Sequence, residues 1–401
     1  MYWDPAERSG QVSHAHAAAA PGQGASRRIV VLSSHVYLRE TRKASVHFVA
    51  ENWARMGHEV NFTTVGYSWI NLFRRSERFH ALRREQNNRY RRYGDNLEAG
   101  GYLPLMHGFS SASRPLDWVG GRLLASYAGH LPDFIAERVG RADLVVFESG
   151  TPVAFVETVR RLNPSARLLY FCRDLLSTVG ASRMLQEIER RVIGLFDVVC
   201  VPSRRLGEGL PPGGRVVYVP QGIDEEVFAR AAESPYAPGT LNAIAAGDML
   251  FDRAAVAAMA EAAPEVTFHL FGISWTGRPP ANVRLHGERP FSVLAPHIRH
   301  ADFGIAPYRY SAREAYLAES SLKLLQYAYC GLPVVVPEAL PVSRGNELRY
   351  RPGRANDWGD IVRRAVAMRR EGVMIEERIA SWQDVARQVL ETVDASQSAA
   401  G

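Results

Sequence analysis

Residues 316–337 read YLAESSLKLLQYAYCGLPVVVP, and this stretch decides the fold. Ser320 and Ser321 are good helix-capping residues, and Leu322, Leu325 and Tyr329 recur at helical spacing. Cys330-Gly331 followed by Leu332-Pro333 supplies a glycine stop with a proline just beyond. Val334 to Val336 then form a short apolar run closed by Pro337, the pattern of a strand buried on both faces in a parallel sheet. A short helix running into such a strand is half of a βαβ unit.

The same rhythm extends outward. Upstream, Ala243 to Ala246 predicts a strand opening onto Gly247-Asp248-Met249, Arg253 to Ala262 a helix, and Thr267 to Phe271 a strand opening onto Gly272. Val283 to His286 is a short strand, Phe291 to His300 a helix, and Phe303 to Ala306 a strand ending at Pro307-Tyr308. An earlier series runs from Asp143 to Phe147 (strand, with Glu148 at its end) through the helix Pro152 to Leu162. It continues with the strand Arg167 to Cys172, the helix Met184 to Phe196 and the strand Val198 to Pro202. At the start, Arg28 to Ser34, Ala44 to Met56 and Glu59 to Val65 read as strand, helix and strand. Residues 67–140 give no such order beyond helices near Leu116 to His130 and Asp133 to Val139. Alternation of this kind predicts an α/β protein with two doubly wound, Rossmann-like domains facing across a cleft.

The expected division is a disordered leader over 1–26, a first domain over 27–220 and a second over 224–378. Ser381-Trp382-Gln383-Asp384 starts a last helix, 380–396, assigned to the first domain, with Asp384 standing in for the usual capping-box Glu or Gln. Ligands in such sheets collect at the carboxyl ends of strands, where Glu148 and Asp174 both fall.

Lys323 stands in the first turn of the helix that follows Ser321, and it is one of two lysines among 48 basic residues. A cation there opposes the helix macrodipole at a cost of roughly 0.3–1 kcal/mol, unless an anion reverses the sign. Free N–H groups at a helix start, with a flexible point charge beside them, suit a phosphate. Gln326, three residues on, could reach a ribose or base from the same side. An exposed surface lysine is the other reading, and the residues alone leave both open.

Composition sets the outer bounds. The 401 residues are 46% apolar, enough for two sizeable cores. No run approaches the roughly 18 apolar residues of a membrane span, and residues 1–26 lack the charged start and apolar stretch of a signal peptide. Cys172, Cys200 and Cys330 show neither pairing nor metal spacing, which fits a reducing cytoplasm. The net charge of +6 is unevenly placed: eight arginines between Arg74 and Arg92 face only Glu77 and Glu85. They follow Tyr67, Trp69, Ile70, Leu72 and Phe73, which suggests a segment lying on anionic lipid; a solvated basic helix or loop is the alternative. No nucleic-acid-binding motif accompanies the charge.

Two such halves, with DLVVFESG in the first and YCGLPVVVP after a helix in the second, resemble the GT-B glycosyltransferases that use nucleotide sugars. The two glutamates, eight apart, that retaining members carry are replaced here by Ala318 and Gln326. More closely, the chain is similar to the xanthan-type (GumK-like) glucuronosyltransferases of exopolysaccharide assembly. The similarity runs through VLSSH at 31–35, FESG at 147–150, RDLLST at 173–178 and QGID at 221–224. It continues through AAGDMLFD at 245–252, TFHLFG at 267–272, ADFGIAPY at 301–308 and YLAESSLKLLQY at 316–327.

The resemblance implies an inverting, metal-independent transfer of glucuronate from UDP-glucuronate to a polyprenyl-diphosphate-linked oligosaccharide at the cytoplasmic membrane face. Transfer from another UDP-sugar, or non-catalytic binding of a nucleotide sugar or lipid-linked glycan, are the alternatives. It implies that Asp174 is the general base and that Lys323 steadies the departing diphosphate. It also implies a nucleotide pocket of Met249, Tyr308, Leu317, Leu322 (a methionine in the family), Lys323 and Gln326, with Asp224 and Glu208 as further matches. A single carboxylate is what inversion needs, since it takes the acceptor proton while C1 is attacked from the opposite side; capping of the following turn is the other use of Asp174. Glu148 reads either as an acceptor or orienting group or as a buried glutamate bonded to loop amides. His35, Arg39, Arg42 and Lys43 are candidates for an acceptor diphosphate or a sugar carboxylate. No cofactor or metal is expected.

Overall fold

The computed structural model describes residues 25–38, 43–70, 77–107, 114–309, 316–341, 344–373, 375 and 377–398. The first lobe runs β1 (Arg28–Ser33), α1 (Ser45–Arg55), β2 (Glu59–Thr64), α2 (Glu77–Gln86), β3 (Tyr90–Gly94), β4 (Leu97–Gly101), α3 (Arg114–Ala128) and α4 (Asp133–Arg141). It continues with β5 (Leu144–Glu148), α5 (Val156–Leu162), β6 (Arg167–Phe171), α6 (Arg183–Val192), β7 (Val198–Val201), α7 (Arg204–Glu208) and β8 (Val216–Tyr218). Its eight strands lie in the order β3-β4-β2-β1-β5-β6-β7-β8. All neighbours are parallel except the β3–β4 pair. The strands β1, β5, β6 and β7 are largely apolar and buried on both faces, as a sheet covered by helices on each side requires, while β2 is equally buried beyond Glu59 but carries Asn61, Thr63 and Thr64.

The second lobe comprises α8 (Glu225–Arg230), β9 (Leu241–Ala246), α9 (Arg253–Ala262), β10 (Val266–Phe271), β11 (Val283–Gly287), α10 (Phe291–His300) and β12 (Phe303–Ile305). It ends with α11 (Leu317–Ser320), α12 (Leu322–Tyr329), β13 (Val334–Pro337), β14 (Glu347–Tyr350) and α13 (Trp358–Glu371), and its six strands run β11-β10-β9-β12-β13-β14, all parallel. The last helix, α14 (Trp382–Ser398), returns to the first lobe. Trp382 stacks on Phe48 of α1 with ring centroids 5.2 Å apart, and the Trp53 indole N–H donates to the Ala386 carbonyl at 2.9 Å. The chain therefore crosses between lobes twice, and the crossings pair with each other: Ile223 N–H donates to the Ala380 carbonyl and Trp382 N–H to the Ile223 carbonyl. Gly222 lies against Trp382 so closely that a Cβ there would sit 2.9 Å from its Cα.

The interval left without order in the sequence is built. The arginine-rich span contains helix α2 and the edge strand β3, and Phe79 and Leu82 of α2 are buried in a small core with Val36, Leu38 and Leu103. Arg92 donates to the carbonyls of Gly94 and Asp95 beside it. Arg74, Arg75, Leu72 and Phe73 lie outside the described residues, as do Arg39, Arg42 and leader positions 1–24. The capping contact at the last helix differs in detail: Asp384 N–H donates to the Ser381 hydroxyl, and that hydroxyl donates back to the Asp384 carboxylate rather than a backbone N–H doing so.

Candidate active site

The chemistry is built from two strand ends of the first lobe. β5 and β6 pair so that Glu148 lies opposite Phe171, and the chain after Phe171 carries Asp174 past the sheet edge. Glu148 is buried; the Ser33 hydroxyl donates to one of its oxygens, and His35 Nε2 stands 3.5 Å from the other. Burial pushes its carboxyl above the usual range. Asp174 is half-buried and accepts a hydrogen bond from the Tyr316 hydroxyl at 3.3 Å. Burial is the main cause that lifts the Asp174 carboxyl to about 6; the Glu148 charge adds to the rise, and the Tyr316 hydrogen bond opposes it.

Between these acids lies Arg173, only 6% exposed. Its guanidinium sits 3.5 Å over the Phe171 ring centroid and donates once, from Nη1 to the Val219 carbonyl at 3.2 Å. Nε and Nη2 are buried with no hydrogen-bond partner among the described residues, and burial lowers the guanidinium to about 10. A buried, under-satisfied cation is costly, so its retention beside two raised carboxyls marks a charged site.

The second lobe brings α12 to the same place. Ser321 caps it, accepting from Leu324 N–H, and its hydroxyl pairs with the Tyr308 hydroxyl at 2.7 Å. The Lys323 ammonium lies 4.7 Å from the centroid of the Tyr308 ring, a cation–π distance. β9 is followed by Gly247, whose φ of +82° is open to glycine at no steric cost, and Leu250 is held at φ +55°, a strained setting for a branched apolar residue. This loop and the start of α12 line one cavity.

Three adjoining cavities result. One of about 360 Å³ is lined by His35, Glu148, Arg173 and Asp174 from the first lobe and by Met249, Tyr308, Leu317, Leu322 and Lys323 from the second. A smaller one of about 80 Å³ lies towards Gln326, Phe271 and Arg289 and shares Leu322 and Lys323. A third, of about 480 Å³, opens within the first lobe over Asp174, Glu148 and His35, between Gly121 of α3 and Met184 of α6. A Cβ on Gly121 would fall 2.2 Å from the Met184 methyl, so the Met184 side chain lies directly over this glycine in mid-helix.

The structure thus brings together Asp174, Glu148, His35, Lys43, Met249, Tyr308, Leu317, Leu322, Lys323 and Gln326. Two expected residues stand apart. Asp224 caps α8, its carboxylate accepting from Val227 N–H at 3.1 Å, and lines none of the three cavities. Glu208 ends α7 and is exposed, also away from them. Lys43 is ion-paired to Glu51 at 2.7 Å. Three residues without a sequence-based role belong to the site: Tyr316, Arg173 and Gln221.

The comparisons with known proteins fit this geometry. A family model described as the N-terminal domain of the glucuronosyltransferase GumK matches residues 31–202. A UDP-glucuronate:glycolipid 2-beta-glucuronosyltransferase of Xanthomonas campestris pv. campestris is 33% identical over 378 residues, covering 93% of this chain and 92% of that protein. The chain belongs to the GumK glucuronosyltransferase family. Among solved structures, a trehalose-6-phosphate synthase of Burkholderia multivorans has a TM-score of 0.60 at 12% identity, covering 94% of this chain and all of that one. HepE of Anabaena, solved with UDP and glucose, has a TM-score of 0.57 at 12% identity, covering 92% and 100%. At that identity these two carry the fold alone, and the fold is GT-B. The match to the Xanthomonas protein spans both lobes, so the cavity between them lies inside the shared region.

Proposed function

We infer that this GumK-family member transfers glucuronate from UDP-glucuronate, with inversion, to a glycolipid of the polyprenyl-diphosphate-linked oligosaccharide class. The observation that carries the reading is the meeting of Asp174 and Lys323, from opposite lobes, on one cavity. Asp174 takes the proton of the acceptor hydroxyl as its oxygen bonds to C1. The bond from C1 to the β-phosphate oxygen breaks on the opposite side, and UDP leaves with the electron pair. Lys323 and the first N–H groups of α12 stabilise the charge that develops on that diphosphate. Among the described residues no group of three or more His, Cys, Asp or Glu side chains is disposed to hold a metal ion. The first-lobe cavity, which opens onto Asp174, is the natural seat of the acceptor sugar.

Attachment to an anionic membrane face is part of the reading. Among the described residues no helix is long and apolar enough to cross a membrane. Ile70 (37% exposed), Leu105 (79%) and Met106 (46%) are brought together by the Trp69 N–H bond to the Pro104 carbonyl, and the Arg83 guanidinium lies over the Trp69 ring. Apolar side chains beside arginines suit an anionic lipid surface. Incubating the protein with a panel of UDP-sugars and a lipid-linked acceptor tests the function. Consumption of UDP-glucose without consumption of UDP-glucuronate would overturn it. Cosedimentation with anionic vesicles tests the attachment, which Arg83→Gln with Arg84→Gln should weaken; undiminished binding would refute it.

A further inference from the structure

The two lysines of the chain are Lys43 and Lys323, while every other basic residue but histidine is arginine. They come from opposite lobes and line the same two cavities. We propose that Lys43 is the first-lobe half of a two-sided clamp on the donor's diphosphate, an inference that rests on the nucleotide-sugar reading of this cavity.

The two sides are built alike. α1 starts at the cavity with Lys43, Ala44 and Ser45, and α12 starts there with Ser321, Leu322 and Lys323. Neither helix has an acidic residue in its first turn, so neither positive helix end is neutralised by its own side chains. The starts are tied together by one buried amide. Ser45 donates to the Gln221 side-chain carbonyl at 2.8 Å, and Gln221 Nε2 donates to the Ser320 carbonyl at 3.2 Å. Arg173, buried and with two nitrogens lacking partners among the described residues, adds a third cation on the same wall.

Position selects the diphosphate from the donor's other anionic group. Lys43, Ala246, Gly247, Leu322 and Lys323 are the residues common to the smaller cavity, which runs to Phe271 and Gln326, and the larger one, which runs to Asp174. In a nucleoside-diphosphate sugar, the part between nucleoside and sugar is the diphosphate. Lys43 holds both oxygens of Glu51, at 2.7 and 2.8 Å, and Tyr37 also donates to Glu51. Its side chain remains 32% exposed, with room for a further acceptor. An ammonium has three donors, so the Glu51 pair leaves capacity for a phosphate oxygen.

Calorimetric titration of the full-length protein with UDP, UMP, UDP-glucose and UDP-glucuronate tests this, using Lys43→Met, Glu51→Gln and Lys323→Met beside the parent. Lys43→Met should weaken UDP roughly tenfold, the size of one charge-assisted hydrogen bond, and UMP much less. Glu51→Gln should keep UDP affinity within about twofold of the parent. Unchanged UDP affinity in Lys43→Met overturns the clamp, and so does a loss confined to UDP-glucuronate, which would move Lys43 to the carboxylate. If Lys43→Met melts early, Glu51→Gln decides alone: a tenfold loss there would make Lys43 a strut for α1. Failure of the parent protein itself to bind UDP would instead sink the nucleotide-sugar reading.

Discussion

Replacing Asp174 by Asn should make the protein inactive and more stable at once. Asn keeps an acceptor for the Tyr316 hydroxyl but cannot take a proton, so turnover should fall by about 10²–10⁴, the usual contribution of a general base. The stability change follows from the raised carboxyl. With about 6 in the folded chain against 3.8 in the unfolded one, the folded state binds the proton more tightly. Stability therefore falls as pH rises from about 4 to 6, and above that window the ionised Asp174 is a standing cost. At about 1.4 kcal/mol per pH unit the full shift would be worth about 3 kcal/mol; allowing for its partial exposure, we expect about 1–3. For a lobe of this size that is a rise of a few degrees in the first melting transition. Melting curves at pH 7.5 and pH 4 should show the variant ahead at the higher pH and level at the lower. Parent-like turnover would move the base elsewhere, and a stability difference independent of pH would mean that Asp174 is not held charged against burial.

Three further outcomes are expected. Tyr316→Phe removes the one hydrogen bond that lowers the Asp174 carboxyl, so activity, lost as pH falls through about 6 in the parent, should be lost at a higher pH; an unmoved acid limb of kcat/KM would deny the contact a role. Lys323→Ala should weaken UDP binding by roughly ten- to a hundredfold, read by calorimetry, and unchanged affinity would return it to an ordinary surface lysine. Gly222→Ala forces a Cβ against Trp382 at the lobe crossing and should cost about 1–3 kcal/mol, read as a lowered melting temperature; a neutral change would show that the crossing can shift.

Much of the fold is legible because parallel strands, covered on both faces, must be apolar without interruption: IVVL in β1, LVVF in β5 and VVV in β13 declare themselves. β3 and β4 do not. YRRYG is an exposed antiparallel edge strand and LEAGG has little side chain to read, while the arginines of α2 hide the buried Phe79 and Leu82. Asp174 and Lys323 stand at strand and helix ends that local pattern can locate. Tyr316 and Gln221 act on residues 142 and 99 positions away in sequence, and no local signal carries such a contact. Asp224 is expected at the nucleotide only through the match of its segment, and the structure shows its carboxylate accepting from the first turn of α8, a use that local pattern does not separate from the other.

On the proposed reading, the placing of the cations is what lets Asp174 serve as the base. An aspartate bonded to an arginine or lysine typically has its carboxyl pulled down by 1–3 pH units, too weak a base to take a sugar hydroxyl's proton. Here Arg173 is next to Asp174 in sequence, yet its guanidinium turns to the Phe171 ring and the Val219 carbonyl. Its hydrogen bond comes instead from neutral Tyr316, one residue before α11. Tyr316 and Leu317 pack into the first-lobe core although they precede the helix that carries Lys323. On the proposed reading, the segment that leads into the helix of the leaving-group cation is thus also the one whose Tyr316 touches the proposed base.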